Sequence, residues 1–394
     1  MTNSSTKPLI LVDGSSYLFR AFHAIRELSN SKGQPTNAIY GVINMVRKLI
    51  SEYQPESMVV IFDAKGKTFR NDLYADYKAN RPPMPDELRS QIEPIHKIIR
   101  AMGIPMLVID GVEADDVIGT LCQQASELKM ETLVSTGDKD MAQLVNEHVT
   151  LINTMTDTLM TPETVVEKFG VKPEQIIDYL ALMGDSADNI PGVPKCGPKT
   201  AAKWLAAYGS LDEVMANADQ VKGKIGENLR NSLEFLPLSQ QLATIKCDVE
   251  LPFTPEQLKL EAPDKPALRE LFKEMEFKTW LRQVEEGTDE QTTEPEPAAP
   301  AMETDYQTIL DQGQLDTWLK TLQQAELFAF DTETTSLDYM QTEIVGVSFA
   351  VESGKAAYVP LAHDYDGAPE QLDRDTVLQQ LKPLLENPNQ KKVG

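Results

Sequence analysis

Residues 106–121 read MLVIDGVEADDVIGTL. The apolar run MLVI predicts a short buried strand, Asp110 and Gly111 a turn, and Glu113, Asp115 and Asp116 the acidic first turn of a helix. The same unit recurs outward in both directions. Pro8–Val12, Met58–Phe62, Pro105–Ile109 and Thr132–Ser135 are predicted as strands, with amphipathic helices over Ala38–Tyr53 and Asp86–Met102 between them. Apolar strands that alternate with helices predict an α/β fold on a parallel sheet covered by helices.

Each predicted strand ends in acid. Asp13 follows LILV, Asp63 follows MVVIF, Asp110 and Glu113 follow MLVI, and Asp138 and Asp140 follow TLVSTG. In an open parallel sheet these are the carboxyl ends, where ligands bind. One Asp after a strand is commonly a turn or N-cap residue, and the helix dipole alone would favour Asp115 and Asp116. Asp185 and Asp188, in GDSADN, read equally well as turn residues. Four coincident strand ends weigh against that bland reading. So many carboxylates at one edge raise one another's pKa values unless cations neutralise them. A donor set of oxygen alone suits Mg2+ or Mn2+ rather than zinc. Two such ions about 4 Å apart would activate water and stabilise the leaving oxygen of an in-line displacement at phosphorus, so the acids point to phosphodiester hydrolysis.

Two further segments bear on the substrate. Residues 63–85, DAKGKTFRNDLYADYKANRPPMP, interleave Lys65, Lys67, Arg70, Lys78 and Arg81 with Phe69, Tyr74 and Tyr77. Cations for phosphates and rings for stacking are what a single-stranded nucleic-acid channel requires, although a solvated charged loop has a similar composition. Residues 190–205, IPGVPKCGPKTAAKWL, place Gly192 and Gly197 where backbone N–H groups would stay open to phosphate, with Lys195, Lys199 and Lys203 close by. That is the pattern of a helix–hairpin–helix gripping duplex backbone, against the plainer reading of an interhelical turn.

The 394 residues carry a net charge of −24, which taken whole argues against a polyanionic partner. The charge is unevenly spread. Of 61 acidic and 37 basic residues, 22 and 6 lie in 285–394, which leaves 39 and 31 before it. Apolar residues make up 41% of the chain, enough for two or three cores, and no apolar run approaches the ~20 residues that span a bilayer. With no signal peptide in Met1 to Pro8, the expected compartment is cytoplasmic, with no membrane partner. Three scattered Cys and four His argue against disulfide, zinc or histidine-triad chemistry.

Residues 285–304 mix acids with Pro, Thr and Ala and are expected to form an extended linker. Before it lies one domain, 1–284, with an α/β core to about residue 160 and a mostly helical part from 161, punctuated by Thr161-Pro162, Gly170, Gly184 and Gly209. After it, 305–394 carry predicted strands at Glu326–Phe330, Ile344–Val351 and Ala356–Leu361 and a helix near Asp375–Leu385. A further strand begins near Lys391, so an open edge and a loosely folded piece are expected.

The motifs LVDGSSYLFRAFHA, FDAKGKTFRNDLYADYKANRP, GVEADDVIGTL, STGDKDMAQLV and LMGDSADNIPGVP, in this order, resemble the flap endonuclease family of 5′ nucleases over Leu9 to about Val284. The resemblance implies a PIN-like nuclease core with a helix–hairpin–helix subdomain. It places two or more Mg2+ or Mn2+ ions on Asp13, Asp63, Glu113, Asp115, Asp116, Asp138, Asp140, Asp185 and Asp188. Setting these nine acids aside turns the −8 of residues 1–284 into about +1, which removes the objection to DNA. Arg20, Tyr77, Lys78 and Arg81 are implied to steer the scissile phosphate and the displaced base. In the hairpin this chain departs from the family, with Lys195 and Cys196 where Gly and a small apolar residue are usual; a positive φ there would strain Lys195. FDTETTSLD resembles the first motif of the proofreading 3′–5′ exonucleases, with Asp331 and Glu333 as metal ligands on the first strand of a truncated RNase H-like domain; the later acidic motifs would lie beyond Gly394, as would a polymerase domain. The implied function is a monomeric 5′–3′ exonuclease and flap endonuclease acting on DNA with 5′ flaps, nicks or RNA primers. Two rival readings remain, a non-catalytic DNA clamp and a proofreading exonuclease.

Overall fold

A computed structural model describes residues 7–286, 305–335, 342–352, 354–363, 368–387 and 390–393. The chain divides into two compact units after Gln291. The expected linker falls mostly on residues 287–304, outside the described residues; Glu285 and Glu286, assigned to it by composition, close the helix Lys278–Glu286.

The first unit is built on a six-stranded sheet of order β3-β2-β1-β4-β5-β6. Strands β1 (Leu9–Asp13), β2 (Ser57–Asp63), β3 (Met106–Ile109) and β4 (Thr132–Ser135) stand where the apolar runs predict them. β5 (Val149–Asn153) extends the sheet in parallel, and β6 (Thr158–Met160) closes it antiparallel. These last two escape a periodicity reading, because the run is short, rich in Thr and Asn, and half exposed.

Strand alternation splits the core in two. Leu9, Leu11, Val59 and Ile61 face one side, against α5 (Ala114–Glu127) and the helical part; Ile10, Val12, Met58 and Val60 face the other, against α1 (Gly14–Ala24), α2 (Asn37–Tyr53) and α4 (Asp86–Ala101). The short α3 (Phe69–Leu73) lies in the basic segment. Because β1 leads to β2 on one side and has β4 on the other, the order reverses at β1, and Asp13 and Asp138 flank the switch point.

In the helical part, α6 (Pro162–Phe169) starts at Thr161 and stops at Gly170, α7 (Ile176–Met183) stops at Gly184, and α8 (Pro198–Tyr208) stops at Gly209, all as predicted. The helical part is interrupted after Thr244. Residues 245–264 are mostly irregular, with a single 3-10 turn at Pro255–Gln257, and Lys259 forms an isolated bridge to Ser57 of β2. The helices Lys265–Glu274 and Lys278–Glu286 then cover the α/β core itself, with Leu268, Phe272, Met275 and Trp280 in the same apolar cluster as Ile10 and Val12.

In the second unit the sheet order is β11-β8-β9-β10-β7. β7 (Asp305–Thr308) pairs parallel with β10 (Lys355–Pro360), β9 (Ile344–Glu352) runs antiparallel to β10 and to β8 (Leu327–Thr334), and β11 (Lys391–Val393) joins β8 in parallel. Contrary to the expected incomplete cover, the helices Gln312–Gln324 and Arg374–Leu385 enclose a core of its own around Trp318, Phe328, Phe349 and Leu381. Among the described residues no helix is long and apolar enough to cross a membrane.

Trp280 is 6% exposed and stacks on Tyr40, with ring centroids 5.0 Å apart and planes 5° from parallel. Trp280→Ala should therefore cost about 3–5 kcal/mol of stability in a urea titration of the first unit. A loss under about 1 kcal/mol would make the last helix an appendage rather than a cover for the sheet.

Candidate metal and nucleic-acid site

Eight of the nine predicted acids line one cavity of about 640 Å³ at the carboxyl edge of the first sheet. Asp13, 3% exposed, caps α1: one oxygen accepts from the Ser16 N–H at 2.8 Å and the other from the Thr136 hydroxyl at 2.7 Å. Burial pushes its pKa up to about 6, against those two hydrogen bonds and with help from the charges of Asp63 and Asp138. Asp63, exposed at the end of β2, accepts from the Ala114 N–H at 2.8 Å, so the first turn of α5 is tied to it. Asp115 is held well above the usual carboxylate range by burial and then by the charges of Asp13, Asp138, Glu113 and Asp63. Asp138 accepts from the Asp140 N–H at 2.8 Å. Asp140 is pushed up to about 7, first by burial and then by Asp138, and its Oδ1 is buried without a hydrogen-bond partner.

Side-chain cations fill the other half of the cavity. Lys78 lies 2.6 Å from Glu113 and 3.6 Å from Asp188, Arg81 pairs with Asp188, and Lys139 lies 3.5 Å from Asp185. Burial works against the Lys78 ammonium, but Glu113 and Asp188 outweigh it and raise its pKa. Lys139 is the residue the sequence reading passed over, although it stands inside the quoted STGDKDMAQLV; its signal was a lone cation between two acids, Asp138 and Asp140.

Asp116 is the exception among the acids. It is fully buried outside the cavity, and its two oxygens take a bidentate grip from Arg70 at 2.8 Å each, plus the N–H groups of Glu113 and Lys246 at 2.9 Å. Arg70, 2% exposed, also donates to the carbonyls of Leu242 and Thr244. Both side chains are thus engaged within the fold, Asp116 by Arg70 and two backbone N–H groups and Arg70 by Asp116 and two carbonyls, rather than open to a shared metal or to DNA. Among the described residues no three of the acids stand together as a ready-made ligand cluster, although eight of them line the same cavity. The carboxylates pair with Lys78, Arg81 and Lys139 or with backbone N–H groups. The donor chemistry fits a hard divalent cation, since it is all oxygen, holds Asp13, Asp115 and Asp140 above the usual carboxylate range by burial among other acids, and leaves one buried carboxylate oxygen unpaired.

Tyr77 also departs from expectation. At 4% exposure it packs with Ile190 and Leu242 and donates to Glu113 at 3.1 Å, so its ring is not open for stacking on a base. Arg20 lies next to the cavity without lining it. Its guanidinium abuts Gly137, where any Cβ would overlap it, and its Nη1 is buried with no hydrogen bond. Lys65 and Lys67 are exposed in the loop after β2.

In the hairpin, Gly197 faces open space just before α8, whereas a Cβ at Gly192 would overlap the backbone of Met183 and Gly184. Gly192 thus serves close packing, not an open phosphate cradle. Lys195 has φ of 65°, the left-handed conformation expected to strain it, and it is exposed, as are Lys199 and Lys203 on α8. Asp331 and Glu333 sit exposed on β8, two residues apart and so on one face, where two acids of one strand are all that the described residues bring together.

The comparisons with known proteins define the class. The 5′-3′ exonuclease N-terminal resolvase-like domain matches residues 8–170, and the 5′-3′ exonuclease C-terminal SAM fold matches 171–266. The 5′-3′ exonuclease of Aquifex aeolicus is 43% identical over 279 residues, covering 71% of this chain and 96% of that protein. The chain belongs to the 5′-3′ exonuclease family. A 3′-5′ exonuclease domain matches residues 306–394, and over 403 aligned residues the chain is 53% identical to DNA polymerase I of Pseudomonas aeruginosa, covering 99% of this chain and 44% of that protein. The chain spans about half the length of the DNA polymerase I of Pseudomonas aeruginosa and of Rhizobium leguminosarum. The fold is shared with a zinc-bound T5 5′-exonuclease, at 21% identity and a TM-score of 0.53 over 71% of this chain and 98% of that one. It is shared too with the catalytic core of Rad2, at 16% identity and a TM-score of 0.51 over 71% and 93%.

Because Arg70 and Asp116 are buried partners, Arg70→Ala or Asp116→Ala should each cost about 3–5 kcal/mol in a denaturant titration. Asp63→Asn, at an exposed acid of the cavity, should stay within about 1 kcal/mol of the parent. Equal losses at Asp63 and Asp116 would erase this division between clamp and site.

Proposed function

We propose that this chain hydrolyses phosphodiester bonds at the 5′ ends of flapped, nicked or primer-bearing DNA, as a 5′–3′ exonuclease and flap endonuclease dependent on Mg2+ or Mn2+. We infer that it does so as a monomer in the cytoplasm, in RNA primer removal and DNA repair, as part of a longer DNA polymerase I. One observation carries the reading: eight carboxylates, with no His or Cys among them, crowd a single cavity at the switch point of the sheet, and burial and mutual repulsion leave them short of positive charge. These eight would hold the ions, and Asp116 would not. Two bound divalent ions would supply an activated water and stabilise the leaving oxygen.

The chain's own cations do the rest. Lys78, Arg81 and Lys139 hold carboxylates where a scissile phosphate would lie, and each is placed to exchange a carboxylate for that phosphate. Arg20, whose guanidinium lies against Gly137 and whose Nη1 has no hydrogen-bond partner, is a further phosphate donor at the same edge. Lys65 and Lys67 would track the single strand, and Lys195, Lys199 and Lys203 the duplex backbone, where Gly197 leaves room for close approach. Two related folds support the reading: the T5 5′-exonuclease structure holds divalent metal ions, and the Rad2 core is in complex with a DNA substrate.

A flap substrate labelled at each end separates the possibilities. Nucleotides should leave the 5′ end only, and only with Mg2+ or Mn2+. Asp115→Asn or Asp138→Asn should slow this by about three orders of magnitude or more while duplex binding persists, because the acids act on the transition state more than on ground-state affinity. Lys199→Ala should instead weaken duplex binding and lower its salt slope by about one. Cleavage without divalent metal, or full activity in the Asp115→Asn, Asp138→Asn double variant, would overturn the proposal.

A further inference from the structure

Three side-chain hydrogen bonds close the switch point of the first sheet, joining the end of β1 and the first turn of α1 to the end of β4 and the two residues after it. The Tyr17 and Ser135 hydroxyls meet at 2.5 Å, the Gly137 N–H donates to the Ser16 hydroxyl at 3.3 Å, and the Thr136 hydroxyl donates to Asp13 at 2.7 Å. Thr136 differs from the other two contacts in one respect. Its oxygen also accepts the Asp138 N–H at 3.0 Å, so a single hydroxyl, on a residue 3% exposed, touches acids from both sides of the switch point. Alternation continued past the end of β4 explains the division of labour: Ser135 turns to the Tyr17 hydroxyl, which also meets the Thr154 hydroxyl at 3.3 Å, and Thr136 turns to the acids.

A hydroxyl has one hydrogen to donate, and here it goes to Asp13. That hydrogen bond, with the one from the Ser16 N–H, fixes the plane of the Asp13 carboxylate and leaves its remaining lone pairs directed at the cavity. The bond Thr136 accepts fixes the backbone from which Asp138 springs, and Asp138 in turn holds the Asp140 N–H. The relay therefore runs from Asp13 through Thr136 to Asp138 and Asp140, three acids on two separate strand ends. Carboxylates that repel one another would otherwise splay apart.

We propose that Thr136 is a positioning residue for divalent metal binding, setting the orientation of Asp13 and the separation of Asp13 from Asp138. This rests on the metal-dependent reading above. Outer-shell partners of this kind typically carry about a 10–100-fold effect on metal affinity. Thr136→Val keeps the shape of the side chain, strips Asp13 of its donor and leaves the Asp138 N–H without an acceptor; Thr136→Ser keeps both bonds.

The test is Mn2+ binding to the full chain without DNA, followed by the electron paramagnetic resonance signal of free Mn2+, with circular dichroism melts as a check on folding. Thr136→Val should bind Mn2+ at least about 10-fold more weakly than the parent, and Thr136→Ser within about 2-fold of it. Tyr17→Phe, which removes a neighbouring latch that touches no acid, should bind Mn2+ as the parent does whatever it does to the melt. Equal Mn2+ affinity in the parent and Thr136→Val would overturn the proposal and leave the metal-dependent reading standing. So would a Thr136→Ser variant as weak as Thr136→Val, or a Thr136→Val chain that no longer melts cooperatively while Thr136→Ser folds and binds 10-fold more weakly than the parent. A parent chain that takes up no Mn2+ would overturn both.

Discussion

The bidentate pair between Arg70 and Asp116 is the contact through which the separate parts of the first unit are joined. Asp116 belongs to α5, packed on the sheet; Arg70 belongs to the basic segment after β2; and the carbonyls of Leu242 and Thr244 and the N–H of Lys246 belong to the chain returning from the helical part. Taking two charges out of water is costly, and a buried pair is tolerated only when its remaining hydrogen-bonding groups are satisfied. Here the carboxylate accepts two guanidinium and two backbone donors, and the guanidinium takes two further carbonyls. A motif that reads in sequence as two adjacent acids, Asp115 and Asp116, is thereby split between two tasks, one facing the cavity and one holding the frame.

The cavity has the opposite character. Asp13, Asp115 and Asp140 are buried enough to be pushed toward their neutral forms, yet they stand among other acids, so the fold keeps negative charge where the cost is highest. Such an arrangement destabilises the chain unless cations enter it, and Lys78, Arg81 and Lys139 meet part of the demand. Perturbed carboxylates in a cleft are the usual mark of a functional site, and the surrounding frame carries the strain. Lys78 itself has φ of 56°, an uncommon conformation for a residue with a side chain, and it is locked there by its backbone bond to Asp188 and its ammonium on Glu113.

Much of the fold was legible because burial on both faces of a parallel sheet writes itself as short apolar runs, and caps such as Thr161 and stops such as Gly170 punctuate the helices. β5 and β6 were not, since a strand near the sheet edge with one wet face carries a weaker pattern. The final helices were legible as helices, but where they pack was not. An amphipathic helix declares that it has an apolar face without saying which surface will cover it, and Trp280 found the sheet rather than the helical part.

For the site, the sequence by itself determined the chemistry: acids at four strand ends, an all-oxygen donor set, and cations interleaved with rings in one segment. Strand period and the rule that ligands meet the carboxyl edge of a parallel sheet are local consequences of chain geometry, so they can be read in one dimension. Only the tertiary structure decided that Asp116, Arg70, Tyr77 and Gly192 serve the frame and that Lys139 and Thr136 serve the cavity. The reason is that each of these roles depends on partners from 36 to 174 residues away along the chain, except Gly192, which packs on a helix end eight residues back; residue type and spacing do not encode such partners. A carboxylate's role is set by whichever group desolvation forces it to meet, and that choice exists only once the chain is folded.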